Sequence, residues 1–148
     1  MALVKSPLMV MCAFLWIGFV CAISFMEAWL KFQAPGITVP LGLGIGRLVF
    51  GMLNKVEWVF AIAILAGMFS DNIQQVSYKV LFFFIPLAIL AIQTIWLLPA
   101  LDAQAALYIS GKPVGASTYH LYFVAAEIVK VSCLLLFGIG QFRTTAHS

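Results

Sequence analysis

Three polar residues lie along one face of a predicted membrane-spanning helix. Arg47, Asn54 and Glu57 occur in a long apolar segment, at spacings of seven and three residues that bring them onto the same helical face. A charged side chain at the centre of a bilayer costs about 2.5–3.5 kcal/mol on insertion scales, so we expect this face to turn away from lipid. The spacing therefore predicts a polar seam that faces other protein, an ion or a bound molecule.

A second polar face lies on the last apolar segment. His120 and Glu127 are seven residues apart, and Lys130 follows three residues later on the same face. Glu127 and Lys130 can form an ion pair within one helix. Carboxylates beside cationic groups in an apolar setting can bind a cation, act as a general acid or base, or lock helices together through ion pairs.

Two further carboxylates lie near the predicted ends of helices. Glu27 falls in the last turn of the first apolar segment, and Asp102 follows the third. Arg47 is a candidate partner for either of them. The predicted ligand- or ion-binding residues are Glu27, Arg47, Asn54, Glu57, Asp102, His120, Glu127 and Lys130.

The composition indicates that the solvent of this chain is lipid. Hydrophobic residues make up 64% of the 148 and charged residues only 9%, with a mean hydropathy of +1.11. The net charge of +3 comes from scattered basic residues without a basic run, which argues against a nucleic-acid partner. Cys12, Cys21 and Cys133 form no CxxC motif and are predicted to be small apolar residues inside helices.

Four segments are long enough to cross a bilayer, which takes about 20 apolar residues. We predict spans at about 8–30, 44–70, 79–100 and 119–142, with the third helix extending to about 110. Proline, glycine or polar residues separate them, at 32–40, 71–78 and 111–117. Thr118 is a candidate N-cap of the last helix. The predicted fold is a single domain, residues 1–148, of the all-α integral membrane class: an up-down-up-down four-helix transmembrane bundle.

Threading the chain through the bundle brings most of the charges to one end. The first and third spans end, and the second and fourth begin, on the side opposite the termini. At about 1.5 Å per residue, Glu57 and Glu127 lie at nearly the same depth, roughly 10 Å inside that face. We therefore predict a charged half-pocket open to one membrane face, with Glu57 and Glu127 on adjacent inner helix faces. Trp29, Trp58 and Trp96 are predicted at or near the lipid boundary.

Other kinds of site are less well supported by the pattern. A di-iron bundle requires Glu-x-x-His on two helices, which this chain lacks, and His120 alone does not make a haem site. The glycines of 42–46 follow no strand and do not match GxGxxG, so no dinucleotide loop is predicted, although Gly42 and Gly46 form a small-xxx-small pair suited to close helix contact. We predict no metal and no cofactor.

Several short motifs resemble those of a known family. They are Gly18-Phe-Val20, Phe25-Met-Glu-Ala-Trp-Leu-Lys-Phe32, Gly46-Arg-Leu-Val-Phe50, Trp96-Leu-Leu-Pro-Ala-Leu-Asp102 and the histidine His120 that opens the fourth span. In these, and in the order of its spans, the chain resembles the small four-span membrane proteins of the transmembrane protein 205 type and their bacterial relatives of unknown function. The resemblance implies an integral membrane protein without an established reaction.

The sequence thus favours a non-enzymatic membrane protein that binds or passes a small cation or an amphipathic molecule. Two alternatives stay open: a structural or accessory subunit of a larger membrane complex or homo-oligomer, and a membrane enzyme that uses Glu57 or Glu127 as general acid or base. Lys5, Lys79 and Arg143 on the terminus side, against Lys31 and Lys112 in loops on the other, predict cytoplasmic termini in a bacterial cytoplasmic membrane.

Overall fold

A computed structural model describes residues 2–4, 6–70, 78–112 and 118–144. Four helices within these ranges are long and apolar enough to span a membrane. Helix α1 covers Pro7–Gln33, α2 covers Val39–Ser70, α3 runs from residue 78 to 109, and α4 covers Tyr119–Ile139. The all-α four-helix class is confirmed, and the protein is a small integral membrane protein. The polar turn predicted at 71–78 falls almost entirely outside the described residues.

The described ends of the chain lie together. Strand β1, Ala2–Val4, pairs antiparallel with strand β2, Phe142–Thr144, with Leu3 opposite Arg143. This ribbon was not expected in an all-α chain. It agrees with an even number of spans, which returns the second terminus to the side of the first.

Two helices contain a wider π-helical turn. In α1 it is Cys21–Glu27, followed by a short α-helical turn and a final 3₁₀ turn, Lys31–Gln33. In α3 it is Gln93–Leu97, between the α-helical stretches Tyr78–Ile92 and Leu98–Ile109. Pro99 lies just beyond this second turn and has no N–H for the carbonyl of Ile95 four residues earlier, which accounts for the disturbed helix there.

Helix boundaries differ from the predictions in two places. Helix α2 begins at Val39, five residues before the predicted start, because Pro40 falls in the first turn, where a missing N–H costs nothing. Helix α3 ends as predicted near residue 110, where Gly111 adopts a left-handed conformation and the N–H of Lys112 donates to the carbonyl of Leu107. Thr118 precedes α4, but its side chain makes no capping hydrogen bond.

The cluster of buried apolar side chains lies in the terminus-side half of the bundle. Helix α1 packs against both α2 and α4, α4 against the first part of α3, and α2 against the last part of α3. The buried core there contains Met9, Cys12, Ala13, Trp16, Val20, Ala61, Ile64, Phe83, Leu90, Leu134 and Phe137. At the opposite end, a Cβ on Gly42 would overlap the ring of Phe32, so the glycine predicted for close helix contact does permit it. The predicted site residues lie between this apolar core and the end of the bundle opposite the termini.

Candidate functional site

The predicted site residues separate into two groups at different depths. Glu57, Glu127 and Lys130 form a sealed cluster, with exposed fractions of 2%, 0% and 0%. Arg47, Asp102 and His120 instead line a cavity at the end of the bundle opposite the termini. Of the residues predicted to form one charged half-pocket, the three deep ones are thus buried and do not line the cavity that holds the three at the rim.

The sealed cluster is centred on the ammonium group of Lys130. Its Nζ donates to Glu57 Oε1 at 2.5 Å and to Glu127 Oε1 at 2.9 Å. The first contact joins α4 to α2, and the second is an i,i+3 pair within α4. The structure thus brings the two deep carboxylates together, as the depth estimate predicted, and their shared partner is Lys130.

Two residues that the sequence analysis missed complete the cluster. Trp16 Nε1 donates to Glu57 Oε1 at 2.8 Å, and Gln93 Nε2 donates to Glu127 Oε1 at 2.6 Å. All four helices therefore contribute a side chain. Trp16 lies in the middle of its span, far from the interface that tryptophan usually prefers, and Gln93 interrupts an otherwise apolar run. Both were signals of inward-facing polar contacts.

Asn54 belongs to a third, smaller network rather than to either group. Its Nδ2 donates to Thr94 Oγ1 at 2.9 Å, and Trp58 Nε1 donates to the same oxygen at 3.0 Å. Thr94 Oγ1 in turn donates to the carbonyl of Leu90 at 2.7 Å. Trp58 is half-buried, and its indole N–H donates into the bundle towards α3, so only part of its side chain is on the outer surface. Trp29 and Trp96, exposed to 56% and 54%, do lie on the outer surface.

Two ion pairs lie at the rim of the bundle. Arg47 donates through Nε and Nη2 to both carboxylate oxygens of Asp102, the Nη2–Oδ2 distance being 2.8 Å. Lys31 Nζ donates to Glu27 Oε2 at 3.1 Å. Of the two partners considered for Arg47, the structure selects Asp102. Glu27 is held by Lys31, one helical turn away, and does not line the cavity.

The cavity has a volume of about 490 Å³. Its polar lining consists of Lys31, Arg47, Thr94, Asp102 and His120. The remaining wall is aromatic, aliphatic or glycine: Ala28, Phe32, Gly42, Leu43, Gly46, Phe50, Gly51, Leu98, Pro99, Leu101, Ala105 and Phe123. The ring of Phe50 meets that of Phe123 edge-on, with centroids 5.2 Å apart, so α2 and α4 close one side of the cavity.

Neither group has the donor set of a metal site. Among the described residues, no three or more His, Cys, Asp or Glu side chains are grouped in a way that could hold a metal ion. Comparisons with protein-family models, with curated proteins and with solved structures find no match. The resemblance to the transmembrane protein 205 type therefore stays a prediction, and the site must be interpreted from its own chemistry.

Proposed function

We propose that this membrane protein binds an amphipathic molecule with an acidic polar group in the cavity opposite the termini. The apolar part lies against Phe50, Phe123 and the adjoining aliphatic wall, and the acidic group lies at the rim beside Arg47. The observation that carries the proposal is where the polar side chains of the cavity lie. The ion-paired side chains are at the rim, and one polar residue deeper in the helices already has a partner at every hydrogen-bonding site of its side chain.

That deeper residue is Thr94. A hydroxyl has one donor and two acceptor sites. The donor is used by the carbonyl of Leu90, and both acceptor sites are used by Asn54 and Trp58. Thr94 therefore offers no hydrogen bond to a ligand, and this part of the wall behaves as an apolar surface. An apolar wall with a few polar groups that orient the ligand is the usual construction of a small-molecule site, and the volume falls within the usual range of about 300–1,000 Å³.

The hydrogen-bond donors on the cavity wall favour an anion over a cation. Two basic side chains, Lys31 and Arg47, line the cavity, and they are paired with Glu27 and Asp102 respectively. A guanidinium has five N–H donors, and the two bonds to Asp102 use two of them. Those remaining can bind a carboxylate or phosphate oxygen. A small cation would instead have to displace Arg47 from Asp102, so the geometry gives less support to cation binding.

The test uses the protein in lipid nanodiscs and a dansyl-labelled long-chain carboxylic acid, whose emission rises in an apolar site. Gly51 lines the cavity, and a Cβ there would meet no atom within 4 Å, so Gly51→Leu extends a side chain into open space. Gly44 is equally open but does not line the cavity, which makes Gly44→Leu the matched control. We expect Gly51→Leu to weaken the saturable binding by about tenfold or more, equivalent to about 1.4 kcal/mol.

The polar group is tested separately with a dansyl-labelled alkylamine of the same length and with Arg47→Gln. The carboxylate probe should bind more tightly than the amine, and Arg47→Gln should reduce that preference. Stronger binding of the amine would overturn the proposal that the polar group of the ligand is acidic, but not the proposal that the cavity binds an amphipathic molecule. Emission no higher than in empty nanodiscs, or equal effects of the two glycine substitutions, would overturn the proposed function.

A further inference from the structure

The sealed cluster has an excess of acid over base. Glu57 and Glu127 share the single ammonium of Lys130, and within the described part of the chain no other cationic side chain lies within 4.0 Å of either carboxylate. With both acids ionised, the cluster would carry one uncompensated negative charge. All three residues are at most 2% exposed, and a net charge in such surroundings is strongly unfavourable unless a proton or ion neutralises it.

The hydrogen bonds of the cluster are also unevenly distributed. Glu57 Oε1 and Glu127 Oε1 each accept two donors. In contrast, Glu127 Oε2 and Gln93 Oε1 are buried and have no donor among the described residues. These two unpaired acceptors belong to side chains that already touch, through Gln93 Nε2 and Glu127 Oε1 at 2.6 Å. The cluster therefore lacks a hydrogen-bond donor beside Glu127. Glu127 is also one of the two carboxylates that together exceed the charge of Lys130.

We infer that Glu127 binds one proton, at Oε2, and that the cluster is a neutral proton-binding site inside the membrane. The carboxylate takes up H⁺ from the aqueous phase and becomes a carboxylic acid, and no other bond changes. The new O–H supplies the missing donor, and the charges of the cluster then sum to zero: one ammonium, one carboxylate and one neutral acid. Oε2 of Glu127 is the buried carboxylate oxygen that has no donor within the ranges that the structure describes, whereas Glu57 accepts hydrogen bonds from Trp16 and, at the shorter of the two lysine distances, from Lys130.

The groups that face Glu127 are few. Lys130 on its own helix and, across that ammonium, Glu57 on α2 are the ionisable ones. Helices α1 and α3 contribute Trp16 and Gln93, which do not titrate. Ionisable groups inside membrane bundles occur where protons or ions are bound and relayed, and a protonated Glu127 matches that use. This inference is independent of the cavity and of what the cavity binds.

Infrared spectroscopy of the reconstituted protein counts the protons directly. A neutral carboxyl has a C=O stretching band that a carboxylate lacks, and this band moves when H₂O is replaced by D₂O. At neutral pH the charge balance predicts one neutral carboxyl in the wild type, none in Glu127→Gln or Glu57→Gln, and two in Lys130→Met. Glu27→Gln, at the rim, is the control and should leave the band unchanged.

The position of the proton is assigned by hydrogen-bond variants. Gln93→Leu removes the partner of Glu127 and should shift the band, whereas Trp16→Phe removes a partner of Glu57 and should not. A shift in Trp16→Phe alone would assign the proton to Glu57 and overturn the inference. The absence of a neutral carboxyl band in the wild type would also overturn it, and that measurement does not depend on any variant folding.

Discussion

Replacing Lys130 by methionine tests whether the sealed cluster holds the bundle together. Methionine keeps most of the length of the side chain and removes the ammonium, which is fully buried and lies 2.5 Å and 2.9 Å from the two carboxylate oxygens. Removing one partner of a buried ion pair usually costs about 3–5 kcal/mol, because the other partner is left without compensation. The equilibrium constant for unfolding should therefore rise by between about a hundredfold and a few thousandfold.

The measurement is the free energy of unfolding in mixed micelles, from titration with sodium dodecyl sulfate followed by circular dichroism. Lys31→Met is the control, because it removes an ammonium from a rim pair whose Lys31 and Glu27 side chains are 9% and 22% exposed, against 0% to 3% in the sealed cluster. Solvent screens a partly exposed pair, so its loss should cost less than the loss of Lys130.

A triple variant separates lost charge balance from lost packing. Combining Lys130→Met with Glu57→Gln and Glu127→Gln removes all three ionisable groups and keeps side chains of similar size. Neutral replacement of a buried ion cluster is often harmless, so the triple variant should recover most of the stability. A single variant that loses less than about 1 kcal/mol, or a triple variant no better than the single one, would refute the view that the ammonium compensates the negative charge of the buried cluster.

Two further substitutions test packing and the wall of the cavity. Phe137→Ala, at a side chain only 1% exposed, should lower the free energy of unfolding by about 3–5 kcal/mol, whereas Phe69→Ala, at a side chain 84% exposed on the outer surface, should cost far less; equal losses would contradict the assignment of the core. Thr94→Val leaves two buried donors without their shared oxygen and should cost about 1–3 kcal/mol in the same titration, while the charge preference of the cavity, set at the rim, should not change.

The number of spans and the facing of their polar residues could be predicted because both follow from local periodicity. Composition and segment length determine the number of helices, and the 3.6-residue repeat places Glu57 inward on α2 and Glu127 with Lys130 inward on α4. The rise per residue then sets Glu57 and Glu127 at one level. Each step needs only one helix at a time, which is why it succeeds. The sidedness of the termini is not tested by the fold and stays a prediction.

The division into a sealed cluster and a cavity could not be predicted in the same way. It depends on which side chains of neighbouring helices fill the space between Arg47 and Glu57, and that is set by packing across the bundle. Trp16 seals Glu57 from α1, and Gln93 covers Glu127 from α3. A tryptophan in mid-span and a glutamine in an apolar run indicate inward-facing polar contacts, but neither identifies its partner on the neighbouring helix. The pairing of the two ends of the chain in β1 and β2 is likewise non-local and was missed.

The two groups meet at one place in the chain, the π-helical turn of α3. Gln93 and Thr94 are consecutive, yet Gln93 contacts Glu127 in the sealed cluster while Thr94 lines the cavity and accepts hydrogen bonds from α2. The turn that contains both begins at Gln93, whose carbonyl accepts the N–H of Leu98 five residues on, and Pro99 follows directly. Pro99 thus lies where the π-helical hydrogen bonds give way to regular α-helical ones, next to the residues that contact the sealed cluster and the cavity. A shift in this turn would move Gln93, the hydrogen-bond partner of Glu127, together with Thr94 in the cavity wall, because one short stretch of backbone carries both side chains.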